Sequence, residues 1–460
     1  MKFESVHNVY FLGIGGIGMS ALARWFHQNG YAVSGYDKTR TPLTQRLEAE
    51  GIAVHYEDSP SNIPQAVIEQ RDETLVVYTP AIPKDHQELA VLQSGGYTIK
   101  KRAQVLGLIT EGFFTVAVAG THGKTTTSSM VAHLLKAGGL DVAGFLGGIA
   151  TNYDTNLLLN ATPEAVVVVE ADEFDRSFLH LHPNLAVVTA CDADHLDIYG
   201  EASALHDSFR AFVGQVHPEG KVLLQQGVQE TLYPEGKSGV IAVPYGRNAG
   251  TLRAENIEAV GDQFTFELVK DGENLGTFTL PMPGFHNVEN AVAALGIGLE
   301  LALAPQVLRE GLASYRGVKR RFEYVVRTED QIYIDDYAHH PTEIEALLTS
   351  IKALYPSKPV TVIFQPHLFS RTRDFAPGFS ASLSLADEVL LLPIYPAREL
   401  PIPGITSEML LESITAPKKR IVQKEELLSV LDAQVRPLLL TVGAGDIDQF
   451  VQPIKESLTT

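Results

Sequence analysis

Residues 116–127 read VAVAGTHGKTTT: an apolar strand, a glycine-bracketed turn, then a lysine and three threonines that open a helix. The helical stretch KTTTSSMVAHLLKAGG puts Met130, Val131, Leu134 and Leu135 on one face and stops at Gly138-Gly139. A lysine at the head of a helix opposes the macrodipole unless an anion sits there. The parts are those of a loop that cradles nucleotide phosphates, but the spacing is not. A P-loop has a glycine five residues before the one that precedes the lysine; here that position is Val118, and the glycine is Gly120. The stretch is therefore read as a shortened phosphate loop. Lys124 is expected to hold the β- and γ-phosphates of ATP and Thr125 to ligate Mg²⁺, in a parallel α/β framework.

A second glycine loop lies upstream, in FLGIGGIGMS. Gly13, Gly15 and Gly18 fit G-x-G-x-x-G between a strand and the helical MSALARWFHQNG, with Gly16 inside the turn. Asp37 follows at the end of the second strand, where a dinucleotide site carries its ribose-binding acid. The physical requirement of the glycines is broader: a diphosphate close to a helix N-terminus, which any nucleotide diphosphate meets. One loop alone suits a dehydrogenase, the other alone a nucleoside triphosphatase.

Acidic residues end the strands of the second α/β unit. Glu170 closes AVVVVE, and Asp192, Asp194 and His195 follow LAVVTA. Ligands of open α/β sheets gather at these carboxyl ends. A phosphate-bound Mg²⁺ takes one or two protein oxygens and keeps several waters. Glu170 and His195 are the metal candidates, whereas Asp172, Glu173 and Asp175 read as residues that stabilise a helix start.

Composition bounds the rest. A chain of 460 residues, 45% hydrophobic and 20% charged, describes a globular protein of two to four domains. A formal net charge of −19 argues against nucleic acid as a partner. The single cysteine, Cys191, lies in an apolar run and reads as an inert core thiol. Neither a signal peptide nor an apolar run of membrane length is evident, which gives a cytoplasmic expectation with no membrane contact.

Strands and helices alternate over residues 1–105 and pause near IKKRAQVLGLIT. A second unit begins at FFTVAVAG, and the pattern turns antiparallel from about 220, with a hairpin at Asp271-Gly272. After the basic boundary YRGVKRRFE, strand and helix alternate again. The expectation is α/β in three domains: a Rossmann-like domain (1–105), a central P-loop-type ATPase domain (106–318) and a C-terminal Rossmann-like domain (319–460).

GIGGIGMS, GTHGKTTT, VEADEFDRSFL, DADHLDIYG, HNVENAVAAL, GVKRRFE, DDYAHHPTEI and FQPHLFSRTRD occur in this order along the whole chain. Together they resemble the Mur ligases of peptidoglycan synthesis, and most closely the branch that adds L-alanine to UDP-N-acetylmuramate. The resemblance assigns both loops. The shortened one binds ATP through Gly120, Thr121, His122, Gly123, Lys124, Thr125 and Thr126. The first one holds the UDP-sugar, through Gly13, Gly15, Gly16, Gly18, Asp37 and Thr79, rather than NAD. It further implies Asn290 at the adenine with His286 nearby, Asp336 at the ATP ribose and Arg321 at the γ-phosphate. Thr125, Glu170 and His195 would serve Mg²⁺. Lys124, Arg321 and His339 would carry the chemistry, with His339 as the base, and Arg371 or Arg373 would anchor the carboxylate of the amino acid or product.

Two features depart from the sibling pattern. Several Mur ligases use a carbamylated lysine downstream of the metal histidine, but no lysine occurs here between His195 and Lys221, where Arg210 stands. Thr79-Pro80 replaces the expected pair of small hydroxyl residues. Competing readings are the recycling ligase that attaches a tripeptide to the same sugar nucleotide, an NAD-dependent dehydrogenase, and a nucleotide-sensing regulator. DDYAHHPTEI also admits a separate His/Glu metal site, although Pro341 reads as a first helical residue with Thr342 and Glu343 behind it. A monomer or homodimer whose domains close around the substrates is expected.

Overall fold

The computed structural model describes residues 3–83, 85–160, 162–192, 199–236, 239–261, 263–397, 399–432 and 434–459. Three sheets organise it, one for each expected α/β domain. The first holds β1 (Asn8–Leu12), β2 (Ala32–Tyr36), β3 (Ala53–His55), β4 (Thr74–Tyr78) and β5 (Thr98–Lys101), all parallel, in the order β3-β2-β1-β4-β5. The chain reverses its direction of winding at β1, so the loop after β1 opens at a topological switch point, where ligands of such sheets bind. The pause after β5 is a helix, Arg102–Thr110.

The second sheet has ten strands. Its parallel centre is β6 (Phe114–Ala119), β7 (Val142–Ala150), β9 (Val166–Glu170), β10 (Leu185–Val188), β11 (Lys221–Gln225) and β12 (Ile241–Arg247). With β8 (Thr155–Leu158), β13 (Leu252–Val260), β14 (Gln263–Lys270) and β15 (Glu273–Leu280) the order is β15-β14-β13-β12-β11-β10-β6-β9-β7-β8. β6 and β9 are continuous apolar runs because helices cover both faces of such a sheet. The expected antiparallel turn at 220 comes later than the sequence suggested. β11 pairs parallel with β12, because the helix Gln226–Leu232 supplies the crossover a parallel pair requires. At Asp271-Gly272 the expected hairpin turn is present, with φ of 52° and 87°, the type I′ signature.

The third sheet runs β16 (Glu323–Arg327), β17 (Ile332–Asp336), β21 (Leu438–Val442), β18 (Val360–Phe364), β19 (Glu388–Leu391), β20 (Lys418–Ile421). All its pairs are parallel except β16 with β17.

Two compact units make up the chain. One comprises Met1–Glu255, Leu268–Gly276 and Glu289–Leu312; the other comprises Asn256–Glu267, Thr277–Val288 and Ala313–Thr460. In the first, a continuous apolar core links Val9, Phe11 and Phe26 with Ile109, Val169, Phe178 and Phe212, so the first two sheets share one interior. The second unit has its own core, built on Tyr333, Ile363, Leu390 and Leu439. No described helix is long and apolar enough to cross a membrane.

Candidate active site

The shortened loop leaves β6 and enters the helix Lys124–Ala137 through Gly123, its N-cap. Both glycines are required. Gly120 has φ +135° and Gly123 φ +81°, conformations that side chains disfavour. A methyl group on the first would lie 2.1 Å from Thr189 Oγ1, and on the second 2.6 Å from Asn290 Oδ1. Asn290 is thus packed against the head of the loop. Thr189 ties the loop to β10's end by donating to the Ala119 and His122 carbonyls.

No acidic residue occupies the first turn of this helix, and Lys124 is its first residue. Its ammonium folds back to donate to the Gly120 carbonyl at 2.6 Å and to Glu173 Oε1 at 2.9 Å, with Glu173 Oε2 at 2.8 Å. Burial alone would lower the lysine's pKa. The charges of Glu173, Asp172 and Glu170 outweigh it and hold the ammonium above the ordinary lysine range. Lys124 therefore stays cationic at the helix head. Thr125 and Thr126 are buried in the first turn, and the buried Thr121 hydroxyl has no hydrogen-bond partner among the described residues. His122 Nε2 lies 3.8 Å from the Asp192 carboxylate.

The acidic stretch after β9 divides its labour. Asp172 fits the helix-start reading, since its Oδ1 accepts from Phe174 N–H at 3.1 Å, but its Oδ2 also meets Arg102 at 3.3 Å. Glu173 does not cap; it pairs with Lys124, and Asp175 pairs with Lys101 at 2.5 Å. Glu170 Oε2 is buried with no hydrogen-bond partner among the described residues. An orphaned carboxylate oxygen beside a threonine-bearing phosphate loop suits a hard cation with oxygen ligands. His195 and Asp194 lie outside the described residues. Among the described residues no cluster of three or more His, Cys, Asp or Glu side chains could hold a metal, which leaves the His/Glu alternative in DDYAHHPTEI without a site. Burial raises the Cys191 thiol to about 11, as an inert core thiol requires.

In the first loop, Gly15 N–H donates to Asp37 Oδ2 at 2.7 Å and Thr39 N–H to Oδ1 at 3.0 Å. Asp37 thus shapes the glycine loop through its own backbone. Gly16 caps the helix Ile17–Gln28 with no side-chain cap and no acid in its first turn. Beside it opens a cavity of about 240 Å³, lined by Gly16, Gly18, Thr79, Arg102, Gly147, Glu170 and Asp172 among others. The first glycine loop and the metal-candidate acid thus face one cavity.

In the second unit, Asp336 ends β17, and both of its oxygens accept backbone N–H groups at 2.7 Å, from Phe322 and from Ala338. It pins KRRFE and YAHH together. Burial raises its carboxyl to about 6 against the opposing pull of Arg321. Arg321 stacks on Tyr337, 5.0 Å from the ring centre, while Arg320 is bound to Asp335 at 3.0 Å. His339 Nδ1 lies 3.1 Å from the Tyr337 carbonyl and 3.3 Å from Glu343 Oε2, both acceptors, so Nδ1 carries a hydrogen. His340 caps the helix Pro341–Leu354 with Pro341 in its first turn, as expected. Arg371 is buried in the helix Phe369–Asp374, whereas Arg373 is exposed and held by Asp374 at 2.7 Å. His286 is the second residue of the helix Phe285–Glu300.

Arg102 is the residue the sequence reading passed over, and Glu173, read there as a helix-start acid, is instead the partner of Lys124. Arg102 carried a signal: it is the first residue of its helix, the same mismatch with the macrodipole that marked Lys124. Glu173 carried none, because its partner lies 49 residues away.

Family models match almost the whole chain: "Mur ligase family, catalytic domain" over residues 8–114, "Mur ligase middle domain" over 118–298 and "Mur ligase, glutamate ligase domain" over 320–445. The chain is 48% identical over 458 residues to the UDP-N-acetylmuramate–L-alanine ligase of Cytophaga hutchinsonii, covering 99% of this chain and 97% of that protein. It superposes on the crystal structure of UDP-N-acetylmuramate-alanine ligase from Thermotoga maritima with a TM-score of 0.83 and 31% identity, covering 98% and 99% of the two chains. The murein peptide ligase of Psychrobacter arcticus shares the fold, with a TM-score of 0.71, 23% identity and 98% of each chain covered. With three family domains in sequence and full-length relatives of this similarity, the chain belongs to the Mur ligase family.

Proposed function

We propose that the protein is the ATP-dependent ligase that joins L-alanine to the carboxylate of UDP-N-acetylmuramate, an early step of peptidoglycan precursor synthesis. The observation that carries this reading is Lys124: a cation held at a helix head inside a glycine loop, with three carboxylates around it, one of them Glu170 with an orphaned oxygen. That arrangement serves a triphosphate and not a dinucleotide. Full-length similarity to L-alanine ligases favours this branch over the tripeptide-recycling one. In this reading the domains divide at 105/106 and 318/319, and the enzyme acts in the cytoplasm.

A carboxylate repels an incoming amine, so it must first be activated. The γ-phosphoryl group of ATP passes to the muramic carboxylate, releasing ADP and leaving an acyl phosphate. The amine of L-alanine attacks the acyl carbon, the amide bond forms, and phosphate departs. Lys124 and Arg321 supply positive charge for phosphoryl transfer, which is mainly positioning and electrostatics. Asn290 and His286 belong at the adenine and Asp336 on the ribose side. His339, through Nε2, takes the amine proton. Buried Arg371, rather than exposed Arg373, holds the amino-acid carboxylate. Thr125, Glu170 and His195 would hold Mg²⁺, which neutralises phosphate charge when bound.

The test is phosphate release by purified protein with ATP, Mg²⁺ and UDP-N-acetylmuramate, with each amino acid in turn. Turnover should require L-alanine, with glycine and L-serine weaker. Equal turnover with the L-Ala-γ-D-Glu-diaminopimelate tripeptide would assign the recycling activity instead. NADH binding without UDP-sugar binding would refute both.

A further inference from the structure

The cavity beside the first glycine loop poses a charge problem. A sugar nucleotide brings a dianionic diphosphate to the N-terminus of the helix Ile17–Gln28, and the cavity there is lined by two carboxylates, Glu170 and Asp172. Among its described lining residues Arg102 is the one cation. Its guanidinium lies against the first turn of that helix, just after the glycine loop: a methyl group on Gly18 would lie 2.9 Å from Arg102 Nη1. The other end of the same fork, Nη2, donates to Asp172 Oδ2 at 3.3 Å, a long contact. The arginine is half-buried, its stem fixed at the first turn of its helix, and neighbouring Lys101 is separately committed to Asp175 at 2.5 Å.

We propose that Arg102 is a positioning residue for the sugar nucleotide, which grips the diphosphate above Gly18 and is held ready for it by Asp172. This rests on the UDP-sugar reading of the first loop. An arginine fork matches phosphate oxygens in two parallel hydrogen bonds, and both are stronger than its single contact to a half-exposed carboxylate. Asp172 is then the storage partner. It keeps the guanidinium from collapsing onto Glu170 while the loop is empty, and it competes weakly with the incoming phosphate. Occupation of the sugar-nucleotide site draws Arg102 from Asp172, whose charge acts on Lys124.

The experiment is calorimetric titration of UDP-N-acetylmuramate, of UDP alone and of ADP into wild type, Arg102→Ala, Arg102→Lys and Asp172→Asn. Loss of a charged hydrogen-bond pair corresponds to roughly 10- to 100-fold in Kd. Arg102→Ala should weaken both uridine ligands by that factor and leave ADP within about twofold, and Arg102→Lys should recover part of the loss. Asp172→Asn should bind UDP at least as tightly as wild type, because the competitor for the guanidinium is gone. Wild-type UDP affinity in Arg102→Ala would overturn the proposal. So would an Asp172→Asn loss equal to that of Arg102→Ala, since the pair would then be only a structural brace. A loss confined to UDP-N-acetylmuramate, with UDP unaffected, would move Arg102 off the diphosphate and refute the assignment. Wild type that binds no uridine ligand at all would instead sink the functional reading, and this inference with it.

Discussion

Gly147→Ala would test whether the position of the Glu170 carboxylate, and not only its presence, matters. Gly147 lies in β7, and its φ is not in the left-handed region. An added methyl group would fall 2.1 Å from Glu170 Oε2 and 2.4 Å from Oε1. To regain an ordinary contact of about 3.4 Å the carboxylate must retreat by about 1.3 Å. The obstacle is the far end of a flexible side chain, so the fold need not yield. Replacing a strand glycine by alanine also recovers ~0.5–1 kcal/mol of backbone entropy. Stability should therefore change by less than about 1 kcal/mol. Catalysis should suffer more, because a misplacement of ~1 Å can cost on the order of 100-fold, about 2.7 kcal/mol in the barrier. The assay is phosphate release across a Mg²⁺ series, beside thermal unfolding of the same samples. The expected result is a near-native Tm, a kcat/KM lower by about two orders of magnitude, and half-activation at higher Mg²⁺. Adding Gly147→Ala to Glu170→Ala should cost nothing further, since the group displaced is already gone. Full turnover with unchanged Mg²⁺ dependence would refute the placement of Glu170 at the metal. A collapse in Tm would show that the backbone, not the carboxylate, absorbed the clash.

Lys124→Ala should abolish turnover while UDP-N-acetylmuramate still binds, and should destabilise the fold by ~3–5 kcal/mol because buried Glu173 loses its partner; retained ATP turnover would exchange the roles of the two loops. The Asp336 carboxyl, raised from 3.8 to about 6, binds its proton more tightly when folded, so its stabilisation is full below pH ~4 and is lost as pH rises through 6. The stability advantage of wild type over Asp336→Asn should shrink by about 2 kcal/mol between pH 4 and 7, read by urea unfolding, and a pH-independent difference would contradict this. Arg371→Ala should raise the KM for L-alanine by tenfold or more, against less than about twofold for Arg373→Ala, as a buried charged contact is worth more than an exposed one; the reverse order would transfer the carboxylate to Arg373.

What could be read in advance depended on neighbours close in sequence. The strand, glycine turn and lysine of residues 116–127, the helix head at Pro341, the hairpin at Asp271-Gly272 and the alternation of strands with helices each follow from steric or dipole rules acting over about ten residues. Those local rules gave the three α/β sheets, and the ordered motifs gave the family. They misplaced the antiparallel turn, because β11 and β12 look alike whether a hairpin or a crossover joins them; only the packed helix Gln226–Leu232 decided it. The partners of the charged groups were likewise beyond local reading. Lys124 finds Glu173 at a separation of 49 residues and Arg102 finds Asp172 at 70. Asn290 reaches Gly123 across the fold, and Arg371 is buried while Arg373, two residues on, is not. Charge pairing acts through space with no periodicity along the chain, so tertiary structure alone determined which acid holds Lys124 and which arginine stands beside Gly18.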